Sequence, residues 1–268
     1  DKIEEVQLQN LSDSQIEENQ VKELNRLSVS YNKMLERLSE AFKIQRQFTE
    51  NAAHELRTPL SLMQVQLDLY NSGKHPDNDA DTIQTIKMVT EQNERLSKMV
   101  KTLLDMSELQ TVGRDETIIV NALVDEVLAD LEPLAQEKNI KLIGKCKDVN
   151  MVGSDILIYR LVYNLVENAI KYNHSGGQVI VEAYQKEKQV YLSVEDTGSG
   201  IPEELKERVF EPFFRVDKSR SRELGGVGLG LALVNEIVRV HDGSIAIRPN
   251  PSGGTIIEVQ FAVNRTTA

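Results

Sequence analysis

A repeating pattern of apolar residues near the start of the chain limits its possible folds more than any other feature. The apolar positions recur alternately three and four residues apart over four heptads, interrupted once by Gln45, at Leu24, Leu27, Tyr31, Met34, Leu38, Ala41, Phe48 and Ala52. Such a heptad seam predicts a long helix that packs along one side against another helix. We therefore expect a homodimer, and a solitary amphipathic helix is the alternative.

A second amphipathic pattern follows from about Asp79, with apolar residues at Ile83, Ile86, Val89, Leu96, Val100, Leu103 and Leu104. The first helix is expected to run to about Tyr70, because residues 71–77 contain Gly73 and Pro76, which break helices. Two long helices joined by a short loop predict an antiparallel helical hairpin. Pairing two hairpins would bury both apolar stripes in a dimeric antiparallel four-helix bundle.

Residues 51–60 place a histidine just outside the seam. His54 falls two residues after Ala52, hence towards solvent, and Thr58 lies one helical turn further on the same face. Pro59 cannot donate to the carbonyl of Glu55, which predicts a kink beside the histidine. An exposed imidazole next to a carboxylate suits a phosphoryl acceptor, and a solvated surface histidine is the alternative.

The composition excludes several classes of function. The 42 acidic against 31 basic residues give a net charge of −11, which argues against binding to nucleic acid or to an anionic membrane. The single cysteine, Cys146, excludes a disulfide framework and a multi-cysteine metal site. The sequence has no run of about 18 apolar residues and no signal peptide. Because it begins with Asp1, we expect a fragment of a longer protein.

From about residue 113 the long helical period gives way to shorter elements. Strands are predicted at 117–120, 140–146, 178–184, 190–195, 244–248 and 255–263, and helices at 121–138, 154–171 and 228–241. Strands and helices do not alternate strictly, which favours a mixed sheet with helices on one face. The fold class predicted for the whole chain is therefore multidomain, with a helical bundle followed by an α/β sandwich.

Three polar patterns lie in this second half, and the first is on a helix. Asn164, Asn168 and either Lys171 or Tyr172 share one helix face. Amide oxygens suit Mg²⁺, a lysine can meet a phosphate, and a tyrosine can stack on a base. A polar surface stripe is the alternative.

The second pattern, at residues 196–202, follows a predicted strand. The carboxylate of Asp196 can accept a hydrogen bond from an exocyclic amine such as that of adenine. Gly198 and Gly200 would let the backbone approach a ligand closely. A plain Asp-Gly turn is the alternative.

The third pattern, at residues 225–231, contains Gly226, Gly228 and Gly230 and opens a helix. Free N–H groups and the positive end of a helix dipole suit phosphate at such a place. It is not a P-loop, because no Lys-Ser/Thr pair follows, and it is not the dinucleotide fingerprint, because no strand precedes it.

Residues 215–222, between the second and third patterns, form a basic segment in an acidic protein. They carry a net charge of +3, from four cations against Asp217, namely Arg215, Lys218, Arg220 and Arg222. This segment suits a mobile lid over a triphosphate, with a solvated loop as the alternative.

In this order, the patterns within residues 24–263 resemble a sensor histidine kinase of two-component signalling. Such proteins combine a HisKA-type dimerisation and phosphoacceptor domain with a Bergerat-type (GHKL) ATP-binding domain. The resemblance implies a partial HAMP-like signalling helix at 1–45, a dimerisation and histidine phosphotransfer hairpin at 46–112, and a catalytic ATP-binding domain at 113–268. It also implies ATP and Mg²⁺ as cofactors, and a second copy and a response regulator receiver domain as partners. The whole protein would be a bacterial membrane protein of which this chain is a cytoplasmic portion.

The resemblance also implies a role for each matching residue. His54 would accept the phosphoryl group, and Glu55 would form a hydrogen bond with the His54 imidazole and deprotonate it. Thr58 would position a water molecule that dephosphorylates the regulator. The nucleotide would be held by Asn168 on Mg²⁺, Asn164 and Lys171 on the phosphates, Tyr172 against adenine and Asp196 on its amine, with Gly198, Gly200, Gly226, Gly228 and Gly230 shaping the pocket and lid. Related ATPases carry a glutamate at the position of Asn164. An amide cannot act as a base, so transfer to His54 is expected to win over hydrolysis.

Overall fold

The chain folds into a helical N-terminal region followed by an α/β domain. The computed structural model describes residues 22–71, 79–109, 111–216 and 226–263. Residues 1–21 of the HAMP-like segment, the predicted turn at 72–77 and residues 217–222 of the basic segment lie outside the described residues. The chain divides into two compact units, residues 1–61 and 62–268. Among the helices of the described ranges, none combines the length and apolar character that crossing a bilayer requires.

Two long helices occupy the N-terminal region, as the two apolar patterns predict. Helix α1 spans Lys22–Asn71 and continues through Pro59, and helix α2 spans Asp79–Glu108. Along α1 the seam residues Leu27, Met34 and Leu38 are exposed by 67%, 54% and 40%. These apolar side chains are open to solvent in a single chain, which leaves the seam available to a second copy.

The α/β domain is built on a five-stranded mixed sheet. Within the described residues, the domain has seven strands: β1 (Glu116–Ile119), β2 (Lys141–Cys146), β3 (Asn150–Gly153), β4 (Gln178–Lys186), β5 (Gln189–Asp196), β6 (Ser244–Pro249) and β7 (Thr255–Ala262). The sheet has the order β2-β4-β5-β7-β6, with β2 and β4 parallel and the other neighbours antiparallel. Strands β1 and β3 form a separate antiparallel ribbon. The predicted mixed sheet is therefore confirmed.

Three helices cover one face of this sheet, namely α3 (Val120–Glu137), α4 (Asp155–Lys171) and α5 (Gly230–Val240). Buried residues alternate with more exposed ones along β4, β5 and β7, as a sheet covered on one side requires. The core lies between the sheet and the helices, where Leu161, Leu165, Leu192, Val259 and Phe261 are each at most 2% exposed.

Strand β3 and the start of α5 differ from the sequence prediction. Strand β3 was not predicted, because its four residues carry only a short apolar signal and end in Gly153. Helix α5 begins at Gly230 and not at Gly228. The reason is that Gly228 has a φ of +80°, which a right-handed helix cannot accommodate.

The buried side chain of His241 connects the start of α4 with the C-terminal end of α5. The backbone N–H of Ser154 donates to Nε2 of His241 at 3.1 Å, and Nδ1 lies 2.8 Å from the carbonyl oxygen of Ile237. With these partners Nδ1 carries the proton and Nε2 accepts. His241 therefore holds the residue before α4 against the end of α5, which gives this histidine a structural role.

Candidate active site

A cavity of about 390 Å³ opens in the α/β domain where α4, the end of β5 and the start of α5 meet. It is lined by ten of the residues that the sequence predicts to bind nucleotide, namely Asn164, Asn168, Lys171, Tyr172, Asp196, Gly200, Arg215, Gly226, Gly228 and Gly230. Gly198 does not line it, but its N–H donates to Asp196 at 2.8 Å. Residues from three sequence patterns therefore converge on one site, while Gly225 lies outside the described residues.

Helix α4 supplies one wall because its two faces differ. Most of its apolar residues, including Leu161 and Leu165, are buried in the core, whereas the side chains of Asn164, Asn168 and Lys171 line the cavity. Nδ2 of Asn164 donates to the carbonyl oxygen of Arg160 at 2.7 Å. That bond fixes the amide, and its Oδ1 is left to face the start of α5.

Asp196, the last residue of β5, is held by two backbone donors. Its Oδ1 accepts from the N–H of Gly198 at 2.8 Å and from the N–H of Thr255 at 3.2 Å. Burial raises the pKa of this carboxyl group, although the two N–H donors act in the opposite direction. Because both bonds use Oδ1, Oδ2 is left for a donor within the cavity.

Two glycines are required for the approach of backbone to Asp196. A Cβ on Gly198 would lie 2.4 Å from the carbonyl oxygen of Tyr172. A Cβ on Gly254 would lie 2.3 Å from the carbonyl oxygen of Asp196, and Gly254 has a φ of +90°. Either side chain would displace the strand end that carries the carboxylate.

The segment before α5 packs against the loop that precedes it. The N–H of Phe213 donates to the carbonyl oxygen of Gly228 at 2.8 Å. Gly230 opens α5, and a Cβ there would lie 3.0 Å from Oδ1 of Asn164 and 3.6 Å from Nδ2 of Asn168. The N-terminus of α5 thus faces both amides, and its free N–H groups and positive dipole end suit a phosphate.

Two lysines share one carboxylate at the α2 side of the cavity. Nζ of Lys171 lies 3.0 Å and Nζ of Lys98 lies 2.5 Å from Oε1 of Glu167. Burial opposes ionisation of Glu167, but the two lysines outweigh it and lower the pKa of this group. Burial lowers the pKa of Lys171, and the charge of Lys98 acts in the same direction against the attraction of Glu167.

The donor set of the cavity fits a magnesium ion that is shared with phosphates. Within the described residues, no group of three or more His, Cys, Asp or Glu side chains could hold a metal on its own. Asn168 and Asn164 offer amide oxygens, and Mg²⁺ commonly takes few protein ligands and completes its shell with phosphate oxygens and water. The site therefore suits a metal ion that enters with a nucleotide.

The predicted phosphoacceptor segment lies on α1, in the first compact unit. The side chain of His54 is exposed, and Glu55 and Thr58 are half-buried. Oγ1 of Thr58 donates to the carbonyl oxygen of His54 at 3.2 Å, which confirms that the two residues are one turn apart on an intact helix. An exposed imidazole at this position of α1 is accessible to a phosphoryl donor.

Several residues of the cavity were missed from the sequence. Lys98 and Thr102 of α2 and Thr255 of β7 line it, and Nδ2 of Asn250 donates to the carbonyl oxygen of Asp196 at 2.7 Å. The Gly253-Gly254 pair before a predicted strand was a usable signal for a close backbone approach. Lys98 gave none, because an isolated lysine on an amphipathic helix is ordinarily a solvated residue.

Comparison with known proteins finds two family models in the chain. Residues 44–112 match the His Kinase A (phospho-acceptor) domain, and residues 153–265 match the histidine kinase-, DNA gyrase B- and HSP90-like ATPase. The chain is 32% identical over 247 residues to the signal transduction histidine-protein kinase ArlS of Staphylococcus aureus. That alignment covers 89% of this chain and 53% of ArlS, so the chain spans about half the length of this relative.

Two solved structures resemble the chain over most of its length. Histidine kinase AdeS of Acinetobacter baumannii is 25% identical with a TM-score of 0.65, over 79% of this chain and 98% of AdeS. Histidine kinase ThkA, in a crystal structure with the response regulator protein TrrA, is 25% identical with a TM-score of 0.69. The match covers 91% of this chain and 68% of that one.

Proposed function

This chain belongs to the sensor histidine kinases, and we propose that it transfers the γ-phosphoryl group of ATP to His54. The observation that carries the proposal is the convergence of Asp196, Asn168 and the N-terminus of α5 on one cavity. A fixed carboxylate, amide oxygens and free helix N–H groups are the chemistry needed for an adenine amine, a hydrated metal ion and phosphates.

The binding roles follow from the position of each group. Oδ2 of Asp196 accepts from the exocyclic amine of adenine, and Tyr172 contacts the base. Lys171 and Asn164 meet the phosphates together with the first N–H groups of α5, and Arg215 at the cavity edge adds a positive charge. Asn168 would hold Mg²⁺, which supplies charge neutralisation on the phosphates.

The transfer exchanges one bond to phosphorus for another. The unprotonated ring nitrogen of His54 attacks the γ-phosphorus in line with the leaving oxygen, so that a P–N bond forms. The P–O bond to the β-phosphate breaks, and its electron pair leaves on ADP. The proton on the other ring nitrogen of His54 passes to Glu55, so the phosphorylated imidazole is neutral.

Asn164 separates this chemistry from hydrolysis. An amide cannot take a proton from water at neutral pH, and here its Nδ2 is already bonded to the backbone at Arg160. Water in the cavity therefore lacks a base at this position, and phosphoryl transfer to His54 is favoured.

The same proposal extends to partners and organisation. The exposed apolar seam of α1 supports a homodimer joined through a four-helix bundle. The complex of ThkA with TrrA supports a response regulator as the next phosphoryl acceptor. We assign dimerisation and phosphotransfer to residues 46–112, ATP binding to 113–268, and a signalling helix to 1–45. The whole protein is proposed to be membrane-anchored, with this chain in the cytoplasm.

Thr58 is assigned a role in dephosphorylation of the response regulator. Its hydroxyl lies one turn from His54, where it can orient a water molecule towards a phosphorylated regulator. The chain would then act as a phosphatase on the same partner, and the face of α1 near Thr58 would dock it.

The test is to incubate the chain with Mg²⁺ and γ-labelled ATP, beside His54→Ala and a His174→Ala control. We expect label that survives alkali and is lost in acid, as a phosphoramidate requires, in the unaltered chain and in the His174→Ala variant only. Label retained by His54→Ala would overturn the assignment of the acceptor. ADP released without label would instead indicate a hydrolase, and nucleotide binding without turnover a non-catalytic scaffold.

A further inference from the structure

Helix α2 contributes a charged residue to the nucleotide cavity. Lys98 lines the cavity with Thr102, and its side chain remains 52% exposed while it contacts Glu167. A second charge pair joins the same two helices, because Nη1 of Arg160 lies 2.9 Å from Oδ1 of Asp105. The position of Lys98 over the cavity is thus fixed at two points between α2 and α4.

The net charge of Lys98, Lys171 and Glu167 bears on how well this end of the cavity attracts phosphate. Lys171 is the lysine predicted to meet the phosphates, yet its Nζ lies 3.0 Å from Glu167, which is 8% exposed. That pair alone has no net charge, and a neutralised lysine attracts a triphosphate weakly. Lys98 on the same carboxylate oxygen brings the cluster to a net charge of +1.

We propose that Lys98 is a phosphate-binding residue of the nucleotide site, so that the ATP site of the α/β domain is completed by helix α2. An ammonium group has three N–H donors, and the contact with Glu167 accounts for one of them. The exposed part of the side chain leaves the other donors accessible from the cavity. The inference rests on the proposed function, because it requires that the cavity takes a nucleotide.

A purely structural latch between α2 and α4 is the competing account of Lys98. The two accounts predict different directions for the change in nucleotide affinity when Lys98 or Glu167 is neutralised. A latch is lost equally when either Lys98 or Glu167 loses its charge, so both changes would alter nucleotide affinity in the same direction. A phosphate-binding cluster instead becomes less positive when Lys98 is neutralised and more positive when Glu167 is neutralised.

The experiment is calorimetric titration of the whole chain with a non-hydrolysable ATP analogue and Mg²⁺, and separately with adenosine. The variants are Lys98→Met, Glu167→Gln and the double variant, with Lys101→Met as the control. Lys101 is an exposed lysine of α2 that does not line the cavity. Thermal unfolding of each variant checks that it is folded.

We expect Lys98→Met to weaken binding of the analogue by about 3- to 10-fold, a moderate effect because the side chain is half-exposed. Glu167→Gln should leave that affinity equal or raise it by about 3-fold, and the double variant should return it close to that of the unaltered chain. Adenosine has no phosphates and should bind all variants alike. Lys101→Met should match the unaltered chain.

Unchanged binding of the analogue to Lys98→Met, or an equal loss for adenosine, would overturn the inference. So would a loss of affinity in both single variants, which would establish the latch. If the unaltered chain bound neither the analogue nor adenosine, the proposed function would fail and the inference with it. Normal binding of both ligands combined with an unaffected Lys98→Met variant would overturn the inference alone.

Discussion

Oδ1 of Asp196 lies 2.5 Å from the point where Gly254 would carry a Cβ. The two residues are 58 positions apart in the sequence and meet because β5 and β7 are neighbours in the sheet. The loop before β7 therefore closes over the carboxylate, and the N–H of Thr255 donates to it. The geometry of the proposed adenine contact thus depends on a glycine, which has no side chain of its own.

This contact predicts that Gly254→Ala damages both stability and binding. The new methyl group would overlap backbone and carboxylate atoms of Asp196, so we expect a loss of more than about 2 kcal/mol in unfolding free energy. Adenosine affinity should fall in parallel. Denaturant unfolding and calorimetric titration measure the two effects.

Gly253 offers a matched control for that change. It has a φ of +94°, close to that of Gly254, but a Cβ there has nothing within 4 Å. Gly253→Ala should therefore show only the backbone strain, about 1–2 kcal/mol, with adenosine affinity retained. Equal effects of the two alanines would refute the importance of the contact.

Asp196→Asn is predicted to separate binding from stability. The amide keeps an oxygen for the N–H groups of Gly198 and Thr255 but loses the charge that attracts an amine. We expect the affinity for ATP to fall by about 10- to 100-fold, as for a hydrogen bond to a charged group. The unfolding free energy at neutral pH should stay equal or rise, because a buried charge has been removed. A variant that binds ATP normally would exclude the proposed adenine contact.

The raised pKa of Asp196 gives this comparison a pH dependence. Burial makes the ionised form less favourable in the folded state than in the unfolded state, so ionisation destabilises the fold at pH values above the folded pKa. As pH falls through that pKa, the carboxyl group takes up a proton and the destabilisation disappears. The stability gap between Asp196→Asn and the unaltered chain should therefore narrow towards acidic pH, and ATP affinity of the unaltered chain should decrease. Melting curves and titrations at several pH values measure both trends.

The parts of the site that could be predicted from the sequence are those with a local signal. Asn164 and Asn168 share a face through helical periodicity alone, and Asp196 follows a strand that its alternating pattern reveals. Lys98 could not be predicted, because its significance comes from Glu167, 69 residues away. The Gly253-Gly254 pair indicated a close backbone approach but not its partner, Asp196, which lies 58 residues before Gly254. Which side chains meet across such distances is decided by sheet order and helix packing.

His241→Phe is predicted to destabilise the α/β domain without altering the nucleotide cavity directly. A phenyl ring keeps the size of the side chain but leaves the N–H of Ser154 without its buried acceptor. The carbonyl oxygen of Ile237 loses the imidazole and keeps only the backbone N–H of residue 241. We expect a loss of about 1–3 kcal/mol in unfolding free energy. The exposed His174 supplies the control, since His174→Ala should change stability by less than about 0.5 kcal/mol. Denaturant unfolding measures both changes in unfolding free energy. An unchanged unfolding free energy of His241→Phe would mean that water replaces the imidazole as the hydrogen-bond partner.

Thr58→Ala is predicted to remove phosphatase activity while preserving phosphorylation of His54. We expect dephosphorylation of the partner regulator to slow by about 10- to 100-fold, because the attacking water loses its orienting hydroxyl. Thr49 is a matched control, since its Oγ1 makes the same type of bond, to the carbonyl oxygen of Gln45 at 3.0 Å. Rates of phosphoryl loss from a labelled regulator, measured for Thr58→Ala and Thr49→Ala, should differ. If both variants behave alike, helix stability and not the hydroxyl explains the effect.

Helix α4 serves the core with one side and the cavity with the other. Leu161 and Leu165 are buried, while Asn164 and Asn168 line the cavity, on the same five turns of helix. A single residue inserted before Leu161 would rotate everything after it by about 100°, and would withdraw the leucines from the core as it withdrew the amides from the ligand. The same rotation of α4 about its axis therefore places the leucines in the core and the amides in the cavity. A chain that has packed its core wrongly cannot hold nucleotide in this cavity, so nucleotide binding reports on correct folding.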